Sequence, residues 1–194
     1  QAVPAVHATM GVIVAAPTAG SSGVLPAVLF ALEEEFGLDE ATVLNGLFTA
    51  GAIGCLLMRN ASVAGAEAGC QAEVGSASAM AAAAAVAMFG GSPQQSLDAA
   101  SIALSNMLGL VCDPIAGLVE APCQSRNAAG AANALTSAES VLSGIKAVVP
   151  FSEMAEAMYK VGKRLAPELR ETALGGCAAT PTGCAYKCSI FGCK

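Results

Sequence analysis

The chain has no tryptophan, two tyrosines and one histidine. Charge is also scarce: 12% of the residues are Asp, Glu, Lys or Arg, about half the share of an ordinary globular domain. Nine cations against fifteen anions leave a net charge of −6. That balance excludes the basic face that nucleic acid requires. No Cys-x-x-Cys pair occurs, which argues against a zinc ribbon or finger, and ferredoxin-type cysteine spacing is absent too. Long apolar runs are missing as well. The two most apolar stretches, 43–58 and 77–89, are sixteen and thirteen residues long, short of the roughly 18–20 that span a bilayer. Both are expected as buried core helices, with no membrane as partner. No cationic, cleavable leader is visible. The chain starts at Gln1 rather than at Met, so an incomplete N-terminus is expected.

What fills the chain is alanine, glycine and other small or apolar residues; the hydrophobic share is 55% of 194 residues. That length supports one domain with a sizeable core. So much apolar surface implies close helix packing through small residues, and a partner chain or second copy over part of the surface. Strand alternation is almost absent and helical signals recur. Val24 to Phe36 reads as a helix stopped by Gly37. Asp39 is a plausible N-cap for a long helix to about Arg59. A helix follows Cys70 and runs through alanines to Phe89. Ser92-Pro93-Gln94-Gln95 is a capping box for a helix to about Leu108. Pro122 can begin a helix carrying Cys123, Arg126, Asn127 and Asn133. Pro150 and Ser152 start an amphipathic helix to about Leu165. From Gly175 the chain reads as irregular. The expectation is an all-α fold: one helical domain over 1–194 of about six to eight helices, small-residue loops around a central site, and a cysteine-rich tail at 175–194.

The eight cysteines come with no secretory signal. Reduced thiols in a cytoplasmic protein are expected, not a disulfide scaffold. Cys70, Cys112 and Cys123 each sit at a break between apolar helical segments, 42 and then 11 residues apart. On the residues alone two readings stay open. A thiolate at such a break can face a cavity and bind metal, helped by nearby N–H groups; a buried cysteine can also pack as a small hydrophobe. Two readings stay open for Thr18, Gly20, Ser21, Ser22 and Gly23 as well: an anion-binding loop ahead of a helix, or a tight turn. Arg126 is the one cation between Arg59 and Lys146. It reads either as a bidentate carboxylate binder or as a surface arginine.

Several motifs together resemble one family. They are Pro17-Thr18-Ala19-Gly20; Gly69-Cys70-Gln71-Ala72-Glu73-Val74-Gly75 before an alanine-rich helix; Cys112-Asp113-Pro114 with Gly117-Leu118-Val119; and Pro122-Cys123 with Arg126-Asn127. In combination the chain is similar over its whole length to the α chain, or catalytic domain, of the iron–sulfur-dependent bacterial L-serine dehydratases. The resemblance implies a [4Fe–4S] cluster on Cys70, Cys112 and Cys123. It implies deamination of L-serine to pyruvate and ammonia without pyridoxal phosphate, a step of amino-acid degradation and gluconeogenesis. Substrate-carboxylate donors are then expected from the 18–23 loop, with Asn60 and Arg126 as further candidates. Cys184, eight residues after Gly176, is the candidate for a resting ligand on the fourth iron. The family is often split into α and β chains. The proton acceptor is therefore expected on a β-chain partner, with His7 as the lesser candidate. A cysteine desulfidase built from the same parts, and a non-enzymatic iron–sulfur or redox-sensing subunit, are the alternatives.

Overall fold

A computed structural model describes residues 2–192. Among these residues there are nine α-helices and no strand, apart from one isolated parallel bridge between Cys112 and Arg170. The helices are α1 (Ala2–Ala8), α2 (Val24–Phe36), α3 (Glu40–Asn60), α4 (Gly65–Ala68), α5 (Cys70–Met88), α6 (Pro93–Met107), α7 (Cys123–Leu142), α8 (Phe151–Arg164) and α9 (Pro181–Phe191). The all-α expectation therefore holds, with short α1 and α4 added to the longer helices.

The molecule is built around α5. Every residue of that helix is buried except Glu73 and Ala87. A helix that is apolar on all sides must be surrounded, and α2, α3, α6, α7 and α8 all pack on it. Its alanines present almost no side-chain relief, so neighbours approach through glycines. A Cβ at Gly46 would fall 2.7 Å from Met88 Cγ, and one at Gly130 would fall 2.8 Å from Val74 Cγ1. Some polar groups in this dry core are matched, while the buried Ser76 and Ser137 hydroxyls find no hydrogen-bond partner among the described residues. Ser78 donates to Gly130 O (2.8 Å) and accepts from Asn133 Nδ2 (2.8 Å). Gln71 donates to Met158 O (2.9 Å) and accepts from Gly109 N (2.8 Å).

The end signals read from the sequence are mostly realised. Gly37 adopts the left-handed conformation, with φ 60°, and its N–H closes α2 on Glu33 O. Asp39 accepts from Thr42 N at the start of α3, and Ser92 with Gln95 forms a complete capping box on α6. Three segments differ. The 60–69 loop contains α4. The tail is not irregular: Thr180 caps α9 by accepting from Gly183 N, with Pro181 in its first turn. The tail's Cys193 lies outside the described residues. Finally, α3 is 21 residues long, enough in length and composition to cross a membrane, and only 28% of its most apolar window is buried. One face packs on α5 through Gly46 and Gly54. The other leaves Phe48 77% and Met58 53% exposed, so the expected buried core helix is buried on one side only.

Candidate metal centre

The site forms at the N-terminal end of α5. Gly69 precedes that helix with φ 77°, and a Cβ there would lie 2.6 Å from Leu165 Cδ1 and 2.7 Å from Leu110 O. Glycine thus lets the exit of α8 and the segment after α6 close on the helix start. Gln71 N donates to Leu110 O (2.9 Å), which lays Cys112 beside Cys70. The Sγ atoms of Cys70 and Cys112 and a carboxylate oxygen of Glu73 lie within 4.8 Å of one another. Cys123 opens α7, and all three thiols are buried.

The thiols interact strongly. The hydrogen bond from Cys112 pushes the Cys70 thiol down, and Arg126 adds to this against the effect of burial. The same bond, followed by burial, pushes Cys112 up. Burial, then charge on Cys70, pushes Cys123 up to about 12. Charge on one thiol thus holds its neighbours up, as expected of buried like charges, with Arg126 opposing this at Cys70 and Cys123.

Arg126 Nη1 reaches Cys70 Sγ at 3.7 Å, donates to Val111 O at 2.9 Å and stands 2.7 Å from Asp113 Oδ1 as an ion pair. Asp113 Oδ2 accepts the Cys177 N–H at 2.6 Å. Burial alone would raise the Asp113 carboxyl, but the Cys177 N–H and Arg126 outweigh it and hold the group low. Gly176 has φ 57°, and a Cβ there would collide with the Asp113 carboxylate.

Two further segments complete the site. In the 17–23 loop, Thr18 donates to Glu73 Oε1 and pairs with Ser21 Oγ at 2.9 Å. Asn127, buried on α7, donates to Gly20 O (2.7 Å) and accepts from Gly23 N (3.1 Å). Ser22 Oγ donates to Ala19 O. Burial is the main force raising the Glu73 carboxyl, with Glu171 adding to it and Thr18 opposing. The second segment comes from the chain end: Cys112 N donates to Leu169 O (2.9 Å) and Glu171 N to Cys112 O (2.8 Å).

The residues expected from the sequence are thus distributed unequally. Cys70, Cys112 and Arg126 come together, Cys123 is near enough to feel charge on Cys70 but lies outside the Cys70–Cys112–Glu73 group, and the 18–23 loop sits against Glu73. Arg126 reaches the site, but its Nη1 serves Asp113, Val111 O and Cys70. Asn60 does not join them: its amide donates to Leu56 O (2.8 Å), and it lines a separate cleft with Gln94 and Phe151. Cys184 is exposed on α9, its Sγ 3.8 Å from Ala178 O, while Cys177 lies nearer the Asp113–Arg126 pair. His7 is half-buried on α1. An apolar cleft of about 640 Å³ between Leu32, Phe89 and Leu142 lies at the far end of α5. Sequence reasoning gave no role to Glu73, Asp113, Glu171 or Cys177. Glu73 did carry a signal, as the one acid in a run of small residues and one helical turn from Cys70. Glu171 carried none.

Residues 1–178 match a family model described as serine dehydratase alpha chain. A probable L-serine dehydratase alpha chain of Bacillus subtilis is 56% identical over 187 residues, covering 96% of this chain and 62% of the relative. Its counterpart in Latilactobacillus sakei is 54% identical over 187 residues, 96% of this chain and 90% of the relative. The L-serine dehydratase TdcG of Escherichia coli is 43% identical over 180 residues, 91% of this chain and 39% of the relative.

Proposed function

The chain belongs to the serine dehydratase alpha-chain family, and on that premise we propose that it carries the site at which L-serine loses water and then ammonia to give pyruvate. The observation that carries this reading is the meeting of the buried thiols of Cys70 and Cys112 at the start of one helix, with the buried Cys123 thiol near enough to feel charge on Cys70. Such a donor set suits iron and sulfide: the ligands are soft thiols, they are dry, and a guanidinium faces one sulfur. Cys70, Cys112 and Cys123 would hold a [4Fe–4S] cluster. When bound, it supplies a Lewis-acidic iron that makes the serine hydroxyl a better leaving group.

The chain's own residues do the rest of the holding. Arg126 supports a thiolate at Cys70, and Asp113 fixes Arg126 in that position. The 17–23 loop, pinned by Thr18 on Glu73 and by Asn127, offers small residues and N–H groups to the substrate carboxylate. Removal of the α-proton and loss of hydroxide give aminoacrylate, which tautomerises and hydrolyses to pyruvate and ammonia in water. A β-type chain completes the enzyme in this reading, in keeping with the alpha-chain names of the relatives.

The test is pyruvate formation from L-serine by the anaerobically reconstituted chain with its β-type chain. Activity is expected from the wild type and is expected to be lost in Cys70→Ser, Cys112→Ser and Cys123→Ser. Full activity in any one of these variants removes that cysteine from the site; an inactive wild-type assembly with its iron in place overturns the lyase reading.

A further inference from the structure

We propose that the outer face of α3 is a pairing surface on which α3 of a second copy of this chain lies antiparallel, the two helices crossing between Gly51 and Ala52. The inference stands on the fold and is independent of the lyase reading above.

The face has a pattern of its own. Leu44, Phe48, Gly51, Cys55 and Arg59 recur at three- and four-residue steps, with Ala52 beside Gly51, so they form one stripe along the helix. All six are exposed, and α5 takes the opposite side of the helix. Charge is confined to the two ends: Glu40 and Arg59 are the only charged residues of α3. Gly51 is the odd member. A glycine inside a helix weakens it. Gly46 and Gly54 make room for Met88 and Met80, but around the outward side of Gly51 this chain places nothing within 4 Å. No contact within the chain asks for a glycine there, whereas a second helix crossing closely at that point does.

Reversing the stripe onto itself shows which chain fits. In an antiparallel pair centred between Gly51 and Ala52, Phe48 of one copy faces Cys55 of the other, and Leu44 faces Arg59. Phe48 is the largest side chain of the stripe. It then lies over the small residues Gly51, Ala52 and Cys55 of the second copy, and the two-fold axis repeats the fit. Arg59 covers Leu44 of the second copy with its stem and carries its guanidinium to the end where Asp39 and Glu40 stand. Among the described residues neither Glu40 nor Arg59 has an ion-pair partner, and the reversal supplies one to each. The helix dipoles also oppose one another in this arrangement. A parallel pair would instead set Phe48 on Phe48 and Arg59 on Arg59. A membrane suits the face less well. A helix that lies on an anionic bilayer needs lysines and arginines along its polar side, and here Glu34, Glu35 and Glu40 are exposed nearby on a chain of net charge −6.

The experiment takes the native protein, purified anaerobically, and measures its mass by sedimentation over a concentration series, alone and with its β-type chain. Two copies of this chain are expected in each assembly. Phe48→Asp and Gly51→Leu are each expected to raise the dissociation constant of the pair about a hundredfold, the worth of a central contact residue, with helix content unchanged. Phe191→Asp, exposed on α9, is expected to leave the pair as it is. Orientation is read with a short bismaleimide and peptide mass spectrometry: in Phe48→Cys, position 48 is expected to be joined to Cys55 of the second copy, while the wild type shows no Cys55–Cys55 link. A wild-type monomer, a pair that survives both Phe48→Asp and Gly51→Leu, or a Cys55–Cys55 link in the wild type overturns the proposal. So does loss of the pair when the β-type chain is added, which assigns the face to that chain, or capture of the wild type by anionic vesicles through α3.

Discussion

Asp113 links two parts of the site through its two oxygens, one on Arg126 and one on the Cys177 N–H. Its folded carboxyl titrates below the ordinary aspartate value of 3.8. A group depressed in this way stabilises the fold above its unfolded pKa, and that stability is lost as pH falls through the folded value. Asp113→Asn is therefore expected to melt lower than the wild type at pH 7, and the gap is expected to close as pH is taken below 3.8. Leaving Arg126 unpaired costs about 3 kcal/mol at neutral pH, by the usual worth of a broken, mostly buried ion pair. Thermal melting between pH 7 and pH 3 checks this; a gap that stays constant contradicts it. At this scale the sequence was legible where chemistry is marked by residue type. Three cysteines and a lone arginine stand out among alanines, and two of those cysteines, Cys70 and Cys112, meet with Arg126 at the start of α5. Asn60 did not follow, because its amide closes the last turn of α3 onto Leu56 O. Glu171 was invisible, since what places it is the hydrogen bond of its N–H to Cys112 O, which no local pattern announces.

The helices show which local signals survive packing. Caps are short-range devices, and those at Asp39 and Ser92 are formed as read. Thr180-Pro181 carries the same kind of signal and makes the tail helical, but the cysteines and glycines around it mask that signal. The faces of α3 were harder to read, because composition tells that a helix is apolar and not which side has a neighbour. Glycines at the helix contacts give a sharp contrast. At Gly54 an added Cβ meets the flexible end of Met80 at 3.1 Å; at Gly130 it meets the branched Val74 Cγ1 at 2.8 Å. Alanine favours a helix over glycine by about 1 kcal/mol, so Gly54→Ala is expected to be neutral to slightly stabilising. Gly130→Ala is expected to cost about 1–3 kcal/mol through overpacking. Chemical denaturation of the two variants measures both; equal stabilities contradict this description of the α5–α7 contact.

Across the whole molecule, the site gathers parts that are far apart in sequence. The 17–23 loop, the start of α5, the 111–126 segment and the 169–177 segment all meet at one end of the central helix. The fold class could be read locally because helices are local. The site could be read only as a set of candidates, because its closure depends on long-range contacts such as Gly69 against Leu165. The chain spans 62% of the Bacillus subtilis relative and 39% of the Escherichia coli relative, and one side of α3 is apolar and open. In the proposed reading the activity belongs to the assembled protein and the cluster site to this chain. Anaerobic purification of this chain, with iron and acid-labile sulfide analysis and a visible spectrum, tests that division directly. About four irons and four sulfides per chain are expected, with broad absorption near ~400 nm, all lost in Cys112→Ser. A wild-type chain that takes up no iron even after anaerobic reconstitution, or a Cys112→Ser chain that keeps the full complement, would contradict it.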